Sequence, residues 1–171
     1  SHPLEKVLIL GFGLGSIPSM LYHHFGHKNT QFTAVEIDEV IIGLSKKYLP
    51  DYLLKNLHFY CEDASLFCEQ YQDAKQHRYD LIAVDIFFDT VTPNKFRKHD
   101  FLAQLKKMLR PNAYLLYNCL TSETDFNKEA KSFYKDIFWP CLQCILPFHM
   151  PILKLTDCCF EKNGFSTCPS I

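Results

Sequence analysis

The chain has no excess of charge: 18 Lys and Arg stand against 19 Asp and Glu, a formal net charge of -1. A long basic run is missing as well, which removes the electrostatic footprint that nucleic-acid binding needs. No apolar stretch is long enough to cross a bilayer, and the start of the chain lacks the pattern of a secretory leader. No internal repeat, low-complexity segment or interdomain linker breaks the 171 residues. One domain over 1–171 with a full core is therefore expected. Ser1-His2 reads as an expression remnant. Cysteine is not scarce, at eight, but metal-ligand spacing is. Cys141 and Cys144 form one C-x-x-C with no second pair, and His23, His27 and His99 have no convincing partner ligands, so no metal is expected. Cys61, Cys68, Cys119 and Cys158 fall inside apolar runs, where a thiol acts as a small hydrophobe, and a reducing compartment, the cytoplasm, follows.

What is present is concentrated in Lys6 to Asp38, KVLILGFGLGSIPSMLYHHFGHKNTQFTAVEID. Val7 to Leu10 is an apolar run too short for a helix and bounded by glycine, which predicts a buried strand. Gly11, Gly13 and Gly15 follow, and Ser16 is placed to cap a helix with Pro18 in its first turn. Phe32 to Val35 predicts a second strand ending on the acid Glu36. Each part has a physical use. Glycines let backbone approach a ligand, a helix N-terminus offers free N–H donors, and a carboxylate accepts hydrogen bonds from a ribose diol.

Further along, Asp38 is expected to cap a helix to Tyr48 with Val40, Ile41, Leu44 and Tyr48 at helical spacing, ended by Pro50. Leu57 to Cys61 predicts a third strand, Ser65 to Tyr71 a short helix, and Tyr79 to Asp85 a fourth strand suited to burial on both faces. Lys98 to Leu109 predicts a helix with Phe101, Leu102, Leu105 and Leu109 inward, and Arg110-Pro111-Asn112 turns into a fifth strand, Ala113 to Asn118. A helix over Glu123 to Trp139 and two strands around Leu142 to Phe148 and Asp157 to Glu161 close the chain as an antiparallel edge hairpin. Strands alternating with helices imply a parallel sheet with right-handed crossovers.

Strand, glycine turn, helix, strand and acid together resemble the nucleotide half of a Rossmann-like fold. The third glycine of a dinucleotide fingerprint is Ser16 here, which weighs against an NAD-dependent oxidoreductase. The G-x-G-x-G spacing, with VEID at the next strand end, instead resembles class I S-adenosylmethionine-dependent methyltransferases. That resemblance implies an α/β, doubly wound, mostly parallel seven-stranded sheet of order 3-2-1-4-5-7-6 with helices on both faces. GFGLGS, VEIDEVI, CEDASLF and the stretch from YDLIAVDIFFD to LLYN narrow it to the spermidine synthase-like branch over about Lys6 to Asn118. Two positions depart from that branch. Its acid inside the glycine turn is Leu14, and its second acid three residues after Asp85 is Phe88, with Asp89 one residue later. The branch's N-terminal lid domain is not among these residues.

The resemblance implies S-adenosylmethionine, or its decarboxylated form, bound by Gly11, Gly13, Gly15, Glu36, Ile37, Asp63, Ala64 and Asp85, with Asp85 and Asp89 as catalytic acids. Glu36 would hold the ribose. Ile37 would cover adenine or else pack in the core. Asp63 would bond the adenine amine or else cap the following helix. Asp85 would aim an amine and take its proton late, or else only start a turn, with Phe87 and Phe88 walling the pocket against water. The partner implied is a small-molecule amine or another nucleophile; neither nucleic acid nor membrane is indicated, and a homodimer stays open. A methyltransferase-like transferase is the first expectation. Aminopropyl transfer, as in spermidine synthases, and a catalytically inactive nucleotide-binding or scaffold domain are the alternatives.

Overall fold

The computed structural model describes residues 4–26, 28–88 and 92–118, together with the backbone of 142–144 and 152–155. Strand β1 (Lys6–Leu10) leads through the glycine turn to α1 (Ser16–His24) and β2 (Gln31–Glu36). Helices α2 (Glu39–Tyr48) and α3 (Asp51–Leu54) then precede β3 (Leu57–Cys61), α4 (Ala64–Tyr71) and β4 (Tyr79–Val84). A 3-10 turn (Asn94–Arg97), α5 (His99–Met108), β5 (Leu109–Tyr117), β6 (Leu142–Cys144) and β7 (Ile152–Leu155) complete the order. The sheet runs β3-β2-β1-β4-β5-β7-β6. The first five strands in sequence pair in parallel, and β7 is antiparallel to both β5 and β6.

Strand β1 is central, flanked by β2 on one side and β4 on the other, with Val7 opposite both Phe32 and Leu81. Val7 to Leu10 are fully buried, which is why four apolar residues run without alternation. Their side chains feed two cores. Leu8 and Leu10 pack with Phe67 and Cys68 of α4 and Leu102 and Leu105 of α5. Val7 and Ile9 pack on the opposite face with Leu21 of α1 and Leu53 of α3. Helices on both faces make the sheet doubly wound. Burial pushes the Cys68 thiol up to about 12, so it serves as an inert core atom.

Several expectations are corrected. Ser16 does not cap α1: Gly15 is the N-cap, in a left-handed conformation, and Ser16 is the first helical residue. Asp38 does cap α2, accepting from Val40 N at 2.8 Å. The face of α2 is shifted, however. Ile42 and Ser45 are its buried residues, while Val40 and Tyr48 are 68% and 70% exposed. The reason is a tertiary contact, since Ser45 Oγ donates to Gly13 O at 3.0 Å and a small polar residue is what fits beneath the glycine turn. Cys61 is exposed, not packed. Leu109 is buried but opens β5 instead of ending α5, and Asn112 takes φ 61 where the β4–β5 register shifts. β6, at Leu142–Cys144, falls within the first expected edge strand, and β7, at Ile152–Leu155, falls between the two expected ones. The helix expected over Glu123 to Trp139, the strand over Asp157 to Glu161, and His27 lie outside the described residues.

Two polar clusters brace the sheet away from its carboxyl edge. Asp80 Oδ2 accepts from Glu5 N and Lys6 N at 2.9 and 2.8 Å, and Arg110 donates to both Asp80 oxygens at 2.9 and 3.1 Å. On the α4 side, buried His77 meets the Tyr79 hydroxyl through Nδ1 at 2.7 Å, and that hydroxyl donates to Thr33 Oγ1 at 3.3 Å. Burial, with the Lys6 charge behind it, holds the imidazole below its ordinary pKa of 6.5. As pH falls below that value the unfolded chain takes up a proton that the folded chain resists, so stability falls with pH from there down through the folded pKa. Urea unfolding at pH 7.5 and 5.5 should show this loss, and His77→Gln should flatten the slope between the two.

Candidate functional site

At the carboxyl ends of β1, β2, β3 and β4 the sheet order reverses direction, and there a crevice of 480 Å³ opens. Its walls include Gly11 to Leu14, Glu36, Ile37, Glu62 to Ala64, Asp85 to Phe88 and Lys95. That volume falls within the range of small-molecule sites. The floor is backbone. Gly11, Gly13 and Gly15 have φ of 81, 56 and 85, all in the left-handed region. A Cβ on Gly11 would sit 2.3 Å from Asp85 O, whereas one on Gly13 would meet nothing within 4 Å. Gly11 is thus required by packing against β4, and Gly13 leaves space on the crevice side where a bound group can approach the backbone.

Glu36 is held by three backbone donors. Oε2 accepts from Gly13 N at 3.0 Å, and Oε1 accepts from Ile37 N and Asp38 N at 2.9 and 3.2 Å. A carboxylate offers about four acceptor positions, so roughly one, on Oε2, is left for a ligand hydroxyl. The carboxylate is preorganised, and it ties the glycine turn to the end of β2. Ile37 is 67% exposed on the crevice wall, which sets aside the alternative of core packing.

Asp63 does cap α4, with Oδ1 accepting from Ser65 N at 2.8 Å and Ser65 Oγ at 2.5 Å. It also lines the crevice, and its Oδ2 is paired with Lys95 Nζ. Burial alone would raise its pKa. The hydrogen bonds from Lys95 and Ser65 and the Lys95 charge outweigh burial and keep it below its ordinary value. Ala64, buried at the first position of α4, completes that corner.

Asp85 follows β4 directly. Its Oδ1 accepts from Asn118 Nδ2 at 2.8 Å, and Asn118 N donates to Val84 O at 2.8 Å, so the end of β5 orients the carboxylate. Phe87 and Phe88 both line the crevice, but Phe88 is 72% exposed. It stands at the mouth and is itself in contact with water, contrary to the sealing role expected of it. Leu14, on the opposite lip, is 59% exposed. Asp89 lies outside the described residues. Lys95, Asn118, Glu62, Pro93 and Phe96 were not foreseen. Asn118 could have been found, because it ends a strand next to the switch point. The Lys95–Asp63 pair joins residues 32 positions apart and carries no local signature. Among the described residues no group of three or more His, Cys, Asp and Glu is placed to hold a metal ion. Nor is any helix among them long and apolar enough to cross a membrane.

Comparison with known proteins places the same region in context. The model of the spermine/spermidine synthase domain matches residues 1–150. A polyamine aminopropyltransferase from Vibrio vulnificus is 26% identical over 134 residues, which are 78% of this chain and 44% of that protein. An eEF1A lysine and N-terminal methyltransferase homolog from Drosophila pseudoobscura is 25% identical over 140 residues, 78% of this chain and 20% of that protein. The chain therefore spans less than half the length of these curated relatives. Among solved structures, human methyltransferase-like protein 13 in complex with SAH superposes with a TM-score of 0.72 at 21% identity, covering 95% of this chain and 76% of that one. This last likeness establishes the shared fold.

The two glycines make separable predictions. Gly13→Ala should cost roughly 1–2 kcal/mol, the strain of a left-handed residue with a Cβ. Gly11→Ala should cost distinctly more, because its Cβ must also push the Asp85 carbonyl aside. Urea denaturation of both variants checks the ordering.

Proposed function

The chain belongs to the spermine/spermidine synthase domain family, and from that premise we propose that it is an S-adenosylmethionine-dependent transferase that methylates an amine. The observation carrying this is the crevice itself, where a glycine turn, an anchored carboxylate at Glu36, Asp63 and Asp85 converge at the switch point. The residues fit such a cofactor: Gly13 leaves open space, Glu36 retains an acceptor for a ribose hydroxyl, and exposed Ile37 offers a flat apolar cover for a base. When bound, S-adenosylmethionine supplies a methyl group on a positively charged sulfur, open to direct displacement.

The chain's own residues then have simple duties. Asn118 fixes Oδ1 of Asp85, leaving Oδ2 to accept a hydrogen bond from an incoming amine and later its proton. Ile86, Phe87 and Phe88 give that end an apolar wall. Leu14 supports methyl over aminopropyl transfer, since decarboxylated S-adenosylmethionine carries a cationic amine with no carboxylate, and the turn offers it no acid. The aminopropyltransferase relative keeps aminopropyl transfer as the second reading.

Calorimetry with S-adenosylmethionine and methylthioadenosine tests the site. Glu36→Gln should weaken both by roughly tenfold to a hundredfold, the worth of a charge-assisted hydrogen bond. Unaltered affinity would remove Glu36 from the site. Asp85→Asn should bind both ligands as the parent does, while incorporation of labelled methyl into acceptor amines slows by at least about tenfold. Undiminished transfer in that variant would remove Asp85 from the mechanism.

A further inference from the structure

Lys95 is the one basic residue among the described residues lining the crevice. It comes from the 3-10 turn after β4, reaches back to the end of β3, and pairs there with Oδ2 of Asp63. Its base is not loose. Phe96, its neighbour, is buried against Phe101, and Phe96 O accepts from the buried Tyr117 hydroxyl at 2.7 Å. The ammonium also stands 4.8 Å from the centre of the Phe96 ring. A lysine tethered this way is presented to the crevice in a set place instead of being swept through solvent.

The hydrogen-bonding capacity of the pair is not used up among the described residues. Asp63 uses three of its roughly four acceptor positions, two on Oδ1 for Ser65 and one on Oδ2 for Lys95. Lys95 has three N–H donors and directs one of them at Asp63. The pair therefore shows the crevice one acceptor beside a charged donor. Adenine presents the complement, an exocyclic amino donor flanked by ring-nitrogen acceptors. A 6-oxopurine presents an acceptor where that amine stood.

We propose that Lys95 and Asp63 act together as a base-reading pair, Asp63 accepting from the exocyclic amine and Lys95 donating to the adjacent ring nitrogen, so that Lys95 is a specificity-determining residue for adenine. This rests on the adenosine reading of the crevice given above. The register of the base is set from the other end, because a sugar held at Glu36 stops the purine from sliding to let a 6-oxo base satisfy the pair in reverse. Without Lys95 the donor is gone and Asp63 keeps a half-buried charge with no cation beside it.

The test is calorimetric titration of the intact chain with methylthioadenosine and with methylthioinosine, its 6-oxo counterpart. The parent should prefer the adenine form by at least about tenfold, the scale expected when a hydrogen bond gives way to an unpaired polar group. Lys95→Met should weaken methylthioadenosine by roughly fivefold or more and narrow the gap between the two ligands, and Lys95→Arg should recover part of both effects. Thermal unfolding identical to the parent would show that Lys95→Met is folded, as expected for a half-exposed side chain. If Lys95→Met binds methylthioadenosine as tightly as the parent, or more tightly, the lysine is a spectator or a competitor and the inference is overturned. Failure of the parent to bind either nucleoside overturns the adenosine reading along with it, a result distinct from the absence of a lysine effect alone.

Discussion

Everything at the carboxyl edge of this sheet depends on one close approach, that of the Gly11 backbone to the carbonyl of Asp85. An added Cβ there would lie 2.3 Å from the Asp85 oxygen. The ends of β1 and β4 are locked side by side by Asp85 N donating to Leu10 O at 2.8 Å, and no side chain fits between them. With the strands in contact, the chain after β1 has to leave sharply, which the positive φ of Gly11, Gly13 and Gly15 permits. The crevice is the volume left over by that departure. It follows from a steric exclusion, and the ligand-facing carboxylates are arranged around it afterwards.

Those carboxylates are not held alike, and the differences sort their uses. Glu36 is anchored by neutral backbone N–H groups from its own strand end and from Gly13. Its geometry is fixed, which suits a group that grips a ligand. Asp63 is divided between a helix cap and an ion pair, so it is both structural and half neutralised. Asp85 has a single amide on one oxygen and an apolar wall beside it. Of the three it is the one with an oxygen, Oδ2, that makes no hydrogen bond among the described residues, which leaves it open to an incoming group.

The sequence made the parallel alternation legible because the two central strands, β1 and β4, carry apolar runs bounded by a polar or glycine signal, as in Val7 to Leu10 followed by Gly11. The crevice was legible for the same reason, since Glu36 ends β2 and Asp63 and Asp85 follow the ends of β3 and β4. What could not be read was set by partners distant in the chain. Val40, Leu44 and Tyr48 have helical spacing, yet α2 turns Ser45 inward because Gly13 O needs a donor 32 residues away. Ser16 carries a cap-forming hydroxyl, yet the left-handed Gly15 takes the cap because the turn before it has already fixed the entry angle. Lys95 looks like an ordinary loop lysine until β3 and β4 are placed in one sheet. For Ser45 and Lys95 a tertiary contact outweighed local chemistry, and for Ser16 the preceding turn did.

The balance of charge in the crevice bears on what enters it. Four carboxylates line it, Glu36, Glu62, Asp63 and Asp85, against one ammonium on Lys95. Backbone donors satisfy most of Glu36 and Lys95 offsets Asp63, which leaves Glu62 and Asp85 to set the field felt by a ligand. Under the proposed function, a sulfonium brings a positive charge that passes to the amine as the methyl group moves, and the two carboxylates favour that charge at both ends of the step. A free polyamine would, under the same function, add further ammonium groups, and any of them lying along Leu14, Phe87 and Phe88 would meet apolar walls that give nothing in exchange for forfeited hydration. Under the proposed function, the electrostatics that would admit one amine would therefore penalise a chain of them, and Leu14 and Phe88, the two positions that set this sequence apart from the spermidine synthase pattern it resembles, would contribute to that penalty.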